Sequence, residues 1–234
     1  MGSLLLIRHG QACFGSADYD RLSALGELQS QRLGQWLKQT GQTPDLIAVG
    51  PLRRHVQTAD LCVAAAGVTA PRICVAGLDE LDHEEILARH RPDLATAAQL
   101  HAEMARADDP HRAFQRLFAA AVARWTGGAF DAQYTRSWPV FRAATLQALR
   151  ALAAHEARTI WAFTSGGPIA VMVNALVDAP AGQAFTLSWP LVNTSLTRIR
   201  MTAQRQSLIS YNSWPHLEHA DVEHADANHL ITHR

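Results

Sequence analysis

The chain is predicted to fold as a three-layer α/β sandwich, a mostly parallel central sheet flanked by helices, and three observations lead there. Short continuous apolar runs at residues 3–7, 45–49 and 159–163 have the length and evenness of strands buried on both faces. The first two runs are each followed by a stretch of helical apolar spacing, and such alternation favours parallel strands covered by helices on both sides. Between about Glu84 and Glu156 the pattern changes to helix after helix, which marks a helical insertion in what reads as a single domain over residues 1–234.

Taken in order, Ser3 to Ile7 is the first and central strand, ended by a glycine turn. From Ala24 to Gln39 the residues Leu25, Leu28, Leu33, Trp36 and Leu37 recur at helical spacing, and Gly41 with Pro44 closes the helix. Residues 45–49 form the second strand, Gly50-Pro51 turns the chain, and another helix runs to near Gly67. A brief strand at Arg72 to Val75 precedes the insertion, whose clearest helix carries Phe114, Leu117, Phe118, Ala121, Val122 and Trp125 and stops at Gly127-Gly128. Thr159 to Phe163 restores the sheet, Pro168 to Val177 is helical, and Ser195 to Met201 with Gln206 to Tyr211 reads as a terminal strand pair. The polar stretch from His216 to Arg234 is expected to be a surface tail.

A length of 234 residues suits one large domain better than two small ones. With 21 Lys+Arg against 21 Asp+Glu there is no net field to draw the chain to nucleic acid or a membrane, so any anion has to be bound locally. Cys13, Cys62 and Cys74 show neither disulfide nor metal-ligand spacing, which suits a reducing compartment. The apolar run near Met1 is too short for a signal peptide or a span, and the cytosol is the expected location.

Two constellations carry chemistry. Arg8-His9-Gly10-Gln11 follows the first strand, at the carboxyl end of the sheet where α/β folds bind ligands. Its guanidinium offers a fork for phosphate oxygens, its imidazole is a candidate nucleophile, and Gly10 permits close backbone approach. The second, Gly50-Pro51-Leu52-Arg53-Arg54-His55-Val56-Gln57-Thr58-Ala59, occupies the same strand-to-helix position one unit later and adds an arginine and free helix amides.

These segments, with Leu22-Ser23-Ala24-Leu25-Gly26-Glu27-Leu28-Gln29, resemble the histidine phosphatase superfamily, the phosphoglycerate-mutase-like group. The resemblance implies that His9 is transiently phosphorylated while Arg8 and Arg54 clamp the phosphoryl oxygens, with Arg53 turned outward. Each well-placed donor of that kind is commonly worth about 3 kcal/mol of transition-state stabilisation. It also implies that no metal or other cofactor is needed. The family's general acid follows a short strand, and Leu78-Asp79-Glu80-Leu81 occupies that place, which makes Glu80 the candidate. The implied activity is hydrolysis of a small phosphorylated molecule. A phosphoglycerate-type mutase and a weakened phosphate-binding protein are the alternatives.

One motif departs from the pattern. Where the family shows Ser-His-Gly-Gly, this chain has Thr164-Ser165-Gly166-Gly167, so the expected second histidine is Ser165. Ser165 and Gly166 can still donate to a phosphoryl oxygen, but without positive charge, a loss of roughly 1–2 kcal/mol or about tenfold in rate. His55 and His83 lie beside motif residues and could compensate, although a histidine in such a place is ordinarily a spectator. Ser165 also sits on a strand-turn-helix corner, but Phe163 replaces the first glycine of the serine-hydrolase elbow. His216, His219, His224, His229 and His233 are irregularly spaced and read as incidental surface residues, with His216 a candidate for a structural role. Trp138 and Phe141 are read as part of a lid or of a subunit contact in a homodimer; neither nucleic acid nor a membrane is an expected partner.

Overall fold

Leu4, Leu5, Leu6 and Ile7 are fully buried, and this run makes β1 (Gly2–Arg8) a strand that feeds apolar side chains to both faces of a sheet. The computed structural model describes residues 2–13, 20–202, 205–218 and 230–233. The chain divides into two compact units, one of residues 1–80 with 144–234 and the other of residues 81–143.

The first unit contains the sheet. Its further elements are α1 (Ala24–Gln39), β2 (Leu46–Val49), α2 (Arg53–Ala66) and β3 (Arg72–Cys74). The second unit holds α3 (His83–His90), α4 (Ala97–Met104), α5 (Pro110–Thr126) and the start of α6 (Trp138–Ala153). The chain then returns through β4 (Thr159–Thr164), α7 (Gly166–Leu176), α8 (Ala184–Ser188), β5 (Leu196–Met201), β6 (Gln206–Ser213) and α9 (Pro215–Glu218).

Among the described residues the sheet has six strands in the order β3-β2-β4-β1-β5-β6. β1, β2, β3 and β4 pair in parallel, and β5 adds antiparallel to β1 and to β6. Alternate residues along β1 enter different cores. Leu4 and Leu6 join Leu149, Leu152, Ile169 and Met172 from α6 and α7 on one face. Leu5 and Ile7 join Leu33, Leu37, Ala59 and Cys62 from α1 and α2 on the other, with Trp161 and Phe163 of β4. This makes three layers, and each such side chain contributes about 1.5–3 kcal/mol when buried.

The parallel register brings the carboxyl ends of β1, β2 and β4 side by side. Arg8 pairs with Thr164, and Val49 pairs with Phe163. The three turns that follow, at His9, Gly50 and Ser165, therefore open onto one edge of the sheet.

The helical unit has its own core, in which Trp125 lies 5.4 Å from Trp138 and 5.5 Å from Phe141 between ring centroids. Asp82, Thr96 and Asp109 cap α3, α4 and α5 by accepting from amides of the first turn. Trp138 and Phe141 are thus 5% and 1% exposed. This corrects their reading as subunit-contact residues: they fill the space around Trp125 inside the helical unit.

The carboxyl-terminal segment also differs from expectation. His216 and Leu217 of α9 are buried, and Leu217 packs with Val192 and Leu230. The reading of His216 to Arg234 as a surface tail fails at both described ends, because an apolar patch between them needs cover. His233 is exposed, while His219, His224 and His229 lie outside the described residues.

Gly34 sits where α1 presses against α2, since a Cβ there would lie 2.2 Å from the Cys62 carbonyl oxygen and 2.7 Å from the Ala65 methyl. Gly34→Ala is expected to destabilise the fold by about 1–3 kcal/mol through overpacking against backbone. Urea denaturation of the variant beside the parent chain checks this.

Candidate active site

His9 follows β1 directly, and its amide donates to the Thr164 carbonyl at 2.9 Å, extending the β1–β4 pairing by one residue. Its carbonyl accepts from the Thr194 amide at 3.2 Å and from Asn193 Nδ2 at 3.1 Å. The ring is buried, with Nδ1 2.7 Å from the Gly10 carbonyl and Nε2 3.2 Å from Arg54 Nε. A carbonyl can only accept and the guanidinium N–H can only donate. The proton therefore sits on Nδ1, and the lone pair of Nε2 faces Arg54.

Gly10 is required at the next position. A Cβ there would lie 2.4 Å from the Gly26 carbonyl oxygen, so only glycine lets the turn press against the start of α1. The Gly10 amide donates to Thr58 Oγ1 at 3.0 Å, and that hydroxyl donates to the Arg54 carbonyl at 2.7 Å. Thr58 thereby ties the His9 turn to α2. Gln29, buried in α1, accepts from the Gln11 amide at 2.9 Å and donates through Nε2 to the Leu230 carbonyl at 2.8 Å.

Of the two arginines opening α2, Arg53 is exposed and Arg54 is buried. Arg54 Nη1 pairs with Asp20 at 2.8 Å, and the other oxygen of Asp20 accepts from the Arg53 amide at 2.8 Å. Arg8 reaches past the end of β1 to the carbonyls of Leu191 and, at 3.0 Å, His233. A Cβ on Gly166 would lie 3.9 Å from Arg8 Nε, which places that guanidinium beside the N-terminus of α7.

Glu80 ends the segment after β3, and its Oε2 accepts from the Gly167 amide at 3.1 Å. Ser165 is the N-cap residue of α7 by backbone angle, yet its hydroxyl makes no capping bond to that helix. It lies instead 2.6 Å from His55 Nε2, and both residues are fully buried. The His55 ring is 5.7 Å from the His9 ring between centroids, and its Nδ1 lies against Gly50 without a hydrogen-bond partner. His83 opens α3 in the helical unit.

Six predicted residues of the sheet unit, Arg8, His9, Arg54, Glu80, Ser165 and Gly166, thus collect at the carboxyl edge of β1, β2 and β4. Sequence reasoning missed three supports. Thr58 stood inside a quoted motif without a role. Asp20 carried no pattern, and Asn193 follows a loop with no periodicity. A threonine four residues after the arginine, and so on the same helix face, was the one available signal.

Burial, then the charges of Arg54 and Arg8 and the neighbouring His55, hold the His9 imidazole well below its ordinary pKa. His55 is held low by burial and by Arg54, against an opposing pull from the Gly50 backbone. His216 donates to Thr194 Oγ1 at 2.8 Å, and burial with the charge of Arg32 brings its pKa to about 3. All three rings are neutral at neutral pH.

This arrangement carries the signature of a known class. The family model of the histidine phosphatase superfamily (branch 1) matches residues 4–213, and the chain belongs to that family. A 72-residue stretch is 36% identical to the 2,3-bisphosphoglycerate-dependent phosphoglycerate mutase of Corynebacterium kroppenstedtii, covering 28% of this chain and 29% of that protein. The chain thus matches under a third of the length of this curated relative. Among solved structures, the alpha-ribazole phosphatase of Shigella flexneri superposes with a TM-score of 0.58 at 17% identity, over 90% of this chain and 96% of that one. A mycobacterial glucosyl-3-phosphoglycerate phosphatase gives 0.58 at 23%, over 91% and 99%. Both share the fold. Among the described residues no helix is long and apolar enough to cross a membrane.

The neutral buried histidines make stability depend on pH. Their folded pKa values lie below the unfolded value of about 6.5, so below that pH the unfolded chain binds protons that the folded chain refuses. Stability is full above about pH 6.5 and falls as pH drops, by up to about 1.4 kcal/mol per pH unit for each histidine. Chemical denaturation at pH 7.5 and 5.0 is expected to show this loss. His216→Asn, which keeps a donor for Thr194, is expected to flatten the slope by about one proton's share.

Proposed function

We propose that the chain is a metal-independent phosphatase that hydrolyses a small phosphorylated molecule through a phosphohistidine on His9. The observation that carries this reading is the lone pair of His9 Nε2 beside the buried Arg54 guanidinium, with the Nδ1 proton fixed by the Gly10 carbonyl. An imidazole in this tautomer is a ready nucleophile, and the adjacent cations favour the anion it attacks.

In the first step Nε2 forms a bond to phosphorus as the bond to the leaving oxygen breaks. The carboxyl form of Glu80 gives its proton to that oxygen. In the second step the Glu80 carboxylate takes a proton from water, the water oxygen bonds to phosphorus, and the phosphorus–nitrogen bond breaks. Arg8, Arg54 and the first amides of α7 neutralise the oxygens that do not react. The cytosol, and a small-molecule partner rather than nucleic acid or membrane, remain part of the proposal.

A mutase reading is supported by the 36% identity over 72 residues to the corynebacterial 2,3-bisphosphoglycerate-dependent phosphoglycerate mutase. A coupled assay for conversion of 3- to 2-phosphoglycerate separates the two, because a phosphatase alone yields free phosphate and no isomer.

His9→Ala is expected to lower hydrolysis of p-nitrophenyl phosphate by about a thousandfold or more, and Glu80→Gln by about 10²–10⁴. A base-stable, acid-labile phosphoprotein is expected from the parent chain on rapid quench and not from His9→Ala. Unchanged turnover in His9→Ala would refute the reading.

A further inference from the structure

The His55–Ser165 pair is not used by the mechanism above, and it is costly to keep. Two polar side chains 110 positions apart are brought to 2.6 Å with no exposure to water. Burying such groups is unfavourable unless their hydrogen bonds are made, and Nδ1 of His55 still has no partner. The pair also forgoes a stabilising alternative, since Ser165 stands where its hydroxyl would cap α7 and does not do so.

We propose that Ser165 and His55 act as one split donor: the Ser165 hydroxyl contacts a phosphoryl oxygen, and the His55 imidazole behind it orients and polarises that hydroxyl. The proposal rests on the phosphohistidine reading and deepens it. Together the two residues take the place of the single histidine that the family carries at the Ser165 position. Ser165 is the catalytic residue of the pair, and His55 is a positioning residue that acts through it.

The geometry supports this division. Ser165 precedes the first amides of α7, an eleven-residue helix whose N-terminus already holds the Glu80 carboxylate at Gly167. His55 follows Arg54 on α2, and its ring is 5.7 Å from that of His9. The charged and titratable groups facing the His55 ring are Arg54 on its own helix and His9 after β1, with Ser165 and the Gly50 backbone completing its surroundings. Nδ1 of His55 has no acceptor, so the imidazole proton is assigned to Nε2, where it donates to Ser165 Oγ and leaves the serine proton to point at the phosphoryl oxygen. No bond to phosphorus forms at either residue, and both protons stay where they are through the transfer.

The test compares kcat and KM for p-nitrophenyl phosphate, and inhibition by vanadate, in the full chain and in four variants. Ser165→Ala and His55→Ala are each expected to lower kcat by about tenfold with KM changed no more than about threefold, and to weaken vanadate inhibition similarly. The double variant H55A/S165A is expected to be no slower than S165A alone, as for residues that act as a unit. The variant H55A/S165H, which moves the imidazole into the space vacated at position 55, is expected to return kcat to within about threefold of the parent. A purely structural role for His55 predicts no such rescue.

Multiplying losses in the double variant, parental kcat in His55→Ala, or no rescue by H55A/S165H would each overturn the proposal. Should His55→Ala fail to fold by circular dichroism, His55→Phe, which keeps a ring of similar size but has no donor, is expected to fold and to show the same kcat loss; parental kcat there also overturns it. His9→Ala keeps the two ideas apart. If it is active, the phosphohistidine reading falls; if it is inactive while His55→Ala runs at the parental rate, only the split donor falls.

Discussion

The site depends on the hydrogen-bonded register between β1 and β4. Arg8 pairs with Thr164, and the His9 amide continues the ladder to the Thr164 carbonyl at 2.9 Å. A one-residue slip would reverse which side of the sheet each residue of β1 faces. Leu5 and Ile7 would then leave the core they share with Trp161 and Phe163, so hydrophobic packing guards the register. The same packing fixes His9 opposite Ser165 without any contact between their side chains being required.

Polar groups buried beside this ladder turn a position into an orientation. Gln29, Ser30 and Thr58 have no exposure to water, and each makes bonds to main chain near the His9 turn or the start of α1. Thr194 adopts a left-handed backbone with φ of 61°, a strained choice for a β-branched residue. Its amide on the His9 carbonyl and its hydroxyl bonds to Asn193 and His216 hold it there. The His9 backbone is therefore supported from β4, from Thr58 and from the turn at Asn193.

Much of the fold was legible because strands and helices here obey simple periodicities. α1 spans the predicted Ala24–Gln39, and the buried runs became β1, β2 and β4. α7 begins at Gly166 rather than Pro168, since proline is tolerated within the first helical turn. The candidate site was legible where residues follow a strand, as His9 and Ser165 do directly and Arg54 does at the start of α2. What stayed hidden depends on long-range pairing. Nothing near Asp20 announces a partner in Arg54, and although His55 and His83 were both open as compensation for Ser165, their sequence positions could not say which of them reaches it. Trp138 and Phe141 were misplaced for a related reason, because an aromatic residue looks the same in sequence whether it fills a core or covers a surface.

The contact between Arg8 and the His233 carbonyl joins residues 225 positions apart, and Gln29 reaches Leu230 and Thr232 in the same way. During synthesis the sheet edge, the His9 turn and α2 all emerge long before that closing segment does. Arg8 therefore lacks one of its main-chain partners until residue 233 has left the ribosome. Strands that frame the candidate site can thus be in place before Arg8 and Gln29 have met all of their main-chain partners.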